Sequence, residues 1–251
     1  MAEDVTPALL DKIQREYSNR VNKSKNISDI QSKIAQGTAT YVDAQAFSIE
    51  AGEILASIFK EYLSADLLPE GRMHYDIADR ILRATLGDNH KLIKKTTVQI
   101  QELLNNQAGL GLKSVDVPLN GDKIKSMVNR ISNEENFDDI AWMLDAPVVT
   151  FSQSVVVEIL KANVEFQGKS GMKPVIKRTL SGHKACDWCR SLAGTYEYPD
   201  VPEDVYRRHN RCKCPVYYYP SENKKQDVWT KEWETPKEKE KRELRKTYGL
   251  K

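Results

Sequence analysis

This sequence predicts a mainly α-helical N-terminal region followed by a small C-terminal α+β module. Three observations carry that expectation. Apolar residues recur at helical spacing from Leu9 to Phe166. After Gly168-Lys169-Ser170-Gly171 the texture changes to short runs rich in β-branched and tyrosine residues. All four cysteines then fall between positions 186 and 214, inside a segment too small to bury a large core of its own. The expected division is a helical domain over 1–168, an α+β module over 169–220 and a charged tail over 221–251.

Taken in order, Thr6-Pro7 supplies a cap and a first-turn proline, after which Leu9, Leu10, Ile13, Tyr17 and Val21 keep helical spacing. Residues 22–43 are polar and open to helix or linker. From Asp43 a stronger pattern runs through Phe47, Ile54, Leu55, Ile58, Phe59 and Tyr62, and stops near Leu68-Pro69-Glu70-Gly71. A third helix carries Ile77, Ile81 and Leu82 and is expected to end around Gly87-Asp88-Asn89. A fourth holds Leu92, Ile93, Ile100, Leu103 and Leu104. Gly109-Leu110-Gly111-Leu112 then opens a loop or short hairpin reaching Pro118. Two short helices are expected around 124–131 and 137–144. Pro147 opens a longer one to 167, although the β-branched run Val148–Val157 also admits a strand.

In the module, strands are expected at 175–180, 194–198 and 215–219, with a turn of helix over 202–208. The tail holds 10 Lys/Arg and 7 Asp/Glu, and Thr235-Pro236 could cap a charged helix up to Lys246. Its composition suits a solvated or partly disordered segment, or one that orders on contact with a larger assembly.

Charge narrows the function classes. A net charge of +2 over 251 residues gives no global field toward nucleic acid or acidic membrane. Apolar runs such as Val155-Val156-Val157 are too short to cross a bilayer, so no membrane partner is expected. Met1-Ala2-Glu3-Asp4 has neither the basic start nor the apolar core of a signal peptide. The expectation is a protein made and kept in a cytosol, or packaged from there, where clustered cysteines read as metal ligands before disulfides.

Cys186-Asp187-Trp188-Cys189 on a tight turn lets two thiolates converge on one ion. Cys212 and Cys214 stand two apart, so in an extended segment they share a face. His209 lies three residues earlier and can reach in from the turn. Cys186, Cys189, His209, Cys212 and Cys214 are therefore five candidate ligands for four tetrahedral positions. Nitrogen and sulfur donors favour Zn²⁺. His183 is a sixth candidate that a glycine-containing turn is expected to leave in solvent. No acid or base is singled out by spacing near the cysteines, so no catalytic residue is assigned. The alternatives are a metal-dependent nuclease using His183 or His209, and a DNA-binding surface built from Arg207, Arg208, Arg211 and Lys213 beside tyrosines.

The ordered run from Cys186-x-x-Cys189 through Gly194 and Pro202 to His209-x-x-Cys212-Lys213-Cys214 resembles the C-terminal motif of the phage Mu F-like minor head proteins. The likeness covers about 40 residues. It departs from that pattern at Lys213, where arginine is usual, and at Arg208, where proline is common. The resemblance implies a zinc-ribbon-like C-terminal module. It also implies a head-morphogenesis role: a minor capsid protein packaged inside the phage head near the portal and acting in head assembly or genome ejection. The implied partners are the portal protein, the interior of the major capsid or scaffold, and phage DNA. The implied locations are the virion and, during assembly, the host cytoplasm. No enzyme activity is implied.

Overall fold

The computed structural model describes residues 4–182 and 185–220. Helix α1 (Thr6–Lys23) begins one residue earlier than a Thr6 cap would place it. Thr6 lies inside the helix and is fully buried, and its backbone N–H donates to Asp4 Oδ1 at 3.0 Å. The polar stretch that follows contains α2 (Lys25–Ala35), capped by Ser24. Helix α3 (Tyr41–Tyr62) starts at a capping box between Thr40 and Asp43. Asp43 also accepts from Lys33 Nζ at 2.6 Å.

The expected break at Gly87-Asp88-Asn89 does not occur, because α4 runs unbroken from Tyr75 to Gln107. A glycine inside a helix costs only about 1 kcal/mol. Around it Leu86 and Ile93 are fully buried, and Asn89 makes two buried bonds, from Tyr17 Oη (2.7 Å) and to Ser152 Oγ (2.6 Å). Tertiary contacts outweigh the local signal. Short helices α5 (Gly121–Ser132) and α6 (Phe137–Ile140) follow.

The run Val148–Val157 is helical, within α7 (Ala146–Lys169). This helix packs on both α3 and α4. Gly52 of α3 makes the close approach possible, since a Cβ there would lie 2.9 Å from the Val149 Cα. The stretch Phe137–Lys169 is long and apolar enough to cross a membrane by composition alone, contrary to the expectation from run length. In this fold Val148, Val155, Val156, Ile159 and Leu160 line the protein core.

Beyond Gly171 a three-stranded antiparallel sheet forms from β1 (Val175–Arg178), β2 (Gly194–Glu197) and β3 (Val216–Tyr219), in the order β2-β1-β3. Ile176 stands opposite Tyr196 on one side and Tyr218 on the other. A five-residue helix, α8 (Asp187–Ser191), precedes β2. The change of texture near 168 is a change of secondary structure and not a break in the core. Ile176, Val205, Tyr206, Val216 and Tyr218 belong to the same buried cluster as Phe47, Leu55 and Ile159. The described residues all lie in one compact unit, Met1–Ser221. The tail, and with it the helix expected after Thr235-Pro236, lies outside the described residues.

Polar side chains from the helices grip the sheet. Gln45 of α3 donates to the Val216 carbonyl at 2.9 Å and accepts from the Val216 N–H at 3.1 Å. Gln153 of α7 donates to the Cys212 carbonyl at 2.7 Å. Tyr218 bonds Gln167 of α7 and Gln101 of α4, and Gln101 in turn accepts from Tyr41. Three helices therefore fix the segment that carries the second cysteine pair.

Candidate metal centre

Local turns aim each sulfur. Cys186 caps α8, and its Sγ accepts from the Cys189 N–H at 3.4 Å. One turn later Cys189 points inward and is 1% exposed. On the other limb the Cys212 N–H closes a turn onto the His209 carbonyl at 3.1 Å. Arg211 adopts φ +62° in that turn, a left-handed conformation uncommon for a residue with a side chain. Cys212 and Cys214 are then buried while Lys213 between them is exposed, the alternation of an extended segment.

The five expected donors come together as two overlapping triads. Cys186, Cys189 and His209 form one, and Cys189, Cys212 and Cys214 the other, with donor atoms in each within 4.8 Å of one another. Cys189 belongs to both. His209 Nε2 lies 3.1 Å from Cys189 Sγ and 3.4 Å from Cys186 Sγ, while the Cys189 and Cys212 sulfurs are 3.7 Å apart. The three buried cysteines form a cluster of their own, separate from the main core, with Ala185 beside them. This group can hold a metal ion.

The thiols are not equivalent. Burial pushes Cys189 up to about 12, and contacts with the Cys214 and Cys186 side chains add to the shift. Burial also raises Cys212, but the Cys214 backbone and the Arg208 guanidinium outweigh it, so its net shift is downward. Of these two thiols, Cys212 is the more readily ionised. Trp188 lies over the outer face. It stacks edge-on with His209 at 5.6 Å between ring centroids and sits 5.0 Å from the Arg178 guanidinium.

No protein-family model, curated protein or solved structure matches the chain. The roles of its residues therefore rest on geometry. His183 lies outside the described residues. The four cations considered for DNA are each engaged within the fold. Arg207 pairs with Asp204 (3.0 Å), Arg211 with Asp145 (3.7 Å) and Lys213 with Glu53 (3.5 Å). Arg208 turns inward, where Nη1 donates to the Cys214 carbonyl. Burial lowers its pKa from the usual guanidinium value. Of the nearby acids, Glu197 pairs with Lys173 and Glu203 with Lys161.

Sequence reasoning missed Arg178 and Trp188. Arg178 stands in the run expected as a strand over 175–180, which gives no sign of its partners, the carbonyls of 204, 205 and 207 and the sulfurs of Cys189 and Cys212. The position of Trp188 inside Cys-x-x-Cys was the available signal for the other.

Proposed function

We propose that this chain is a non-enzymatic minor head protein of a tailed phage whose C-terminal module is closed by one zinc ion. The observation that carries the metal reading is the convergence of Cys186, Cys189, His209, Cys212 and Cys214 from two limbs of the chain onto one small volume. The donor set suits zinc. Sulfurs about 2.3 Å from a tetrahedral ion stand about 3.8 Å apart, and the Cys189–Cys212 separation is 3.7 Å. Bound there, zinc supplies a cross-link between the α8 limb and the His209–Cys214 limb, where little apolar surface is available to join them. Such a zinc-ribbon-like staple is structural.

The phage-head reading rests on the ordered motif from Cys186 to Cys214. On that reading the protein is packaged inside the capsid near the portal, contacts portal and interior capsid or scaffold surfaces, and acts in assembly or genome ejection. A nuclease would need a histidine free to move protons. His209 instead directs Nε2 at two sulfurs and Nδ1 at the Asn210 carbonyl, 2.9 Å away.

Three measurements test the proposal. Metal analysis of protein purified without added zinc should find about one zinc per chain. Mass spectrometry of particles assembled by the encoding genome should find the chain in the virion, and it should co-purify with the portal. A metal-free protein removes the zinc centre; absence from particles removes the head role.

A further inference from the structure

Two arginines converge on the cysteines with no carboxylate paired to them among the described residues. Arg178, the last residue of β1, is 1% exposed. Its Nη1 donates to the carbonyls of Val205 (2.8 Å), Arg207 (3.0 Å) and Asp204 (3.2 Å). That carbonyl cradle fixes the guanidinium and turns Nη2 toward the sulfurs, 3.6 Å from Cys189 Sγ and 3.9 Å from Cys212 Sγ. Arg208 arrives from the other limb, with Nη1 3.8 Å from Cys212 Sγ and its Nε and Nη2 buried without partners. Among the described residues neither guanidinium forms a salt bridge with a carboxylate. Charges taken out of water need an opposite charge nearby. Among the described residues, the groups placed against both guanidiniums that can supply one are the cysteine sulfurs.

We propose that Arg178 and Arg208 are the counter-ions of the cysteine centre and set its affinity for metal. The charge count supports this. A divalent ion with three or four thiolates carries net charge −1 or −2, and two guanidiniums bring the buried group to between neutral and +1. Arg178 also bridges the two sulfurs, with Nη2 3.6 Å from Cys189 Sγ and 3.9 Å from Cys212 Sγ. These are positioning residues and not ligands. The inference rests on the metal reading above and adds to it which residues tune the centre.

The test compares zinc affinity, by competition with a chromophoric chelator, in the full-length wild type and in Arg178→Met, Arg208→Met, Arg178→Lys and Arg208→Lys. Groups that orient and polarise metal ligands change affinity by about 10- to 100-fold when removed. Each Met variant should therefore bind zinc at least about tenfold more weakly while its helical circular dichroism stays unchanged. The Lys variants, which keep the charge, should recover most of the loss. Met variants that fold and bind zinc as the wild type does would overturn the proposal. If a Met variant fails to fold, the Lys variants decide. Affinity within about threefold of wild type supports a charge role, and affinity lost as fully as in a cysteine variant overturns it. A wild type that binds no zinc sinks the metal reading itself, an outcome distinct from unchanged affinity in the variants.

Discussion

Replacing Gln45 with leucine tests how the helices hold the cysteine-bearing segment. The Gln45 amide is the partner of both backbone groups of Val216, and Val216 is fully buried. Leucine fills similar space but leaves one buried N–H and one buried C=O without partners. Each orphaned group costs about 1–3 kcal/mol, so the pair costs about 2–6 kcal/mol. That is a large share of the roughly 5–15 kcal/mol that keeps a domain folded. For a chain of this size each kcal/mol lowers Tm by about 2–4 °C, giving a drop of about 4–24 °C. Urea denaturation followed by circular dichroism should show the shift in midpoint with an unchanged slope. A loss below about 1 kcal/mol would mean that water or β1 satisfies Val216, and the clamp would be wrong.

Three further outcomes are expected. Gly52→Ala should cost about 1–3 kcal/mol by urea denaturation, because its Cβ would meet Ser152 Oγ at 2.8 Å and the Val149 backbone at 2.9 Å. Cys189→Ser, which removes the donor common to both triads, should abolish zinc retention in metal analysis, whereas Cys186→Ser at the exposed edge should only weaken it. Burial and the nearby Lys94 hold His90 below its ordinary value of 6.5, against the opposing pull of Glu158, Asp116 and the Val117 backbone. The unfolded chain therefore binds the extra proton first. Stability should be full above about pH 6.5 and fall as the pH drops through and below that value, and His90→Gln should flatten the fall in urea midpoint.

The helices were legible wherever an apolar stripe marked a buried face, as in Phe47–Phe59 and Val155–Val164. The break expected at Gly87 failed because local glycine signals carry about 1 kcal/mol, whereas Asn89 is held by partners 72 and 63 residues away in sequence. The strand reading of Val148–Val157 was open for a similar reason. Composition does not say which surface a β-branched run will meet, and here it met α3 and α4. Of the site, the donor set was readable because Cys-x-x-Cys and Cys-x-Cys each dictate a local geometry. Its counter-ions were not, since Arg178 owes its place to carbonyls at 204, 205 and 207.

The module's dependence on the helices bears on what a metal can do here. A free-standing zinc module would bring its own core, but the cysteines here cluster apart from apolar neighbours. Meanwhile Gln45, Gln153 and Gln101 fix the strand limb from outside the sheet. The Cys212–Val216 limb is thus preset by the helices, while Cys186 caps and Cys189 sits in a five-residue helix that is tied to the rest through contacts with Arg178 and His209. A metal bound here would mainly brace the α8 limb against a fixed partner. Chelation should free Trp188, already partly exposed, from its contacts with His209 and Arg178, read as a change in tryptophan fluorescence, and leave helical circular dichroism largely intact. A cooperative loss of helix on chelation would show instead that the centre supports the whole unit.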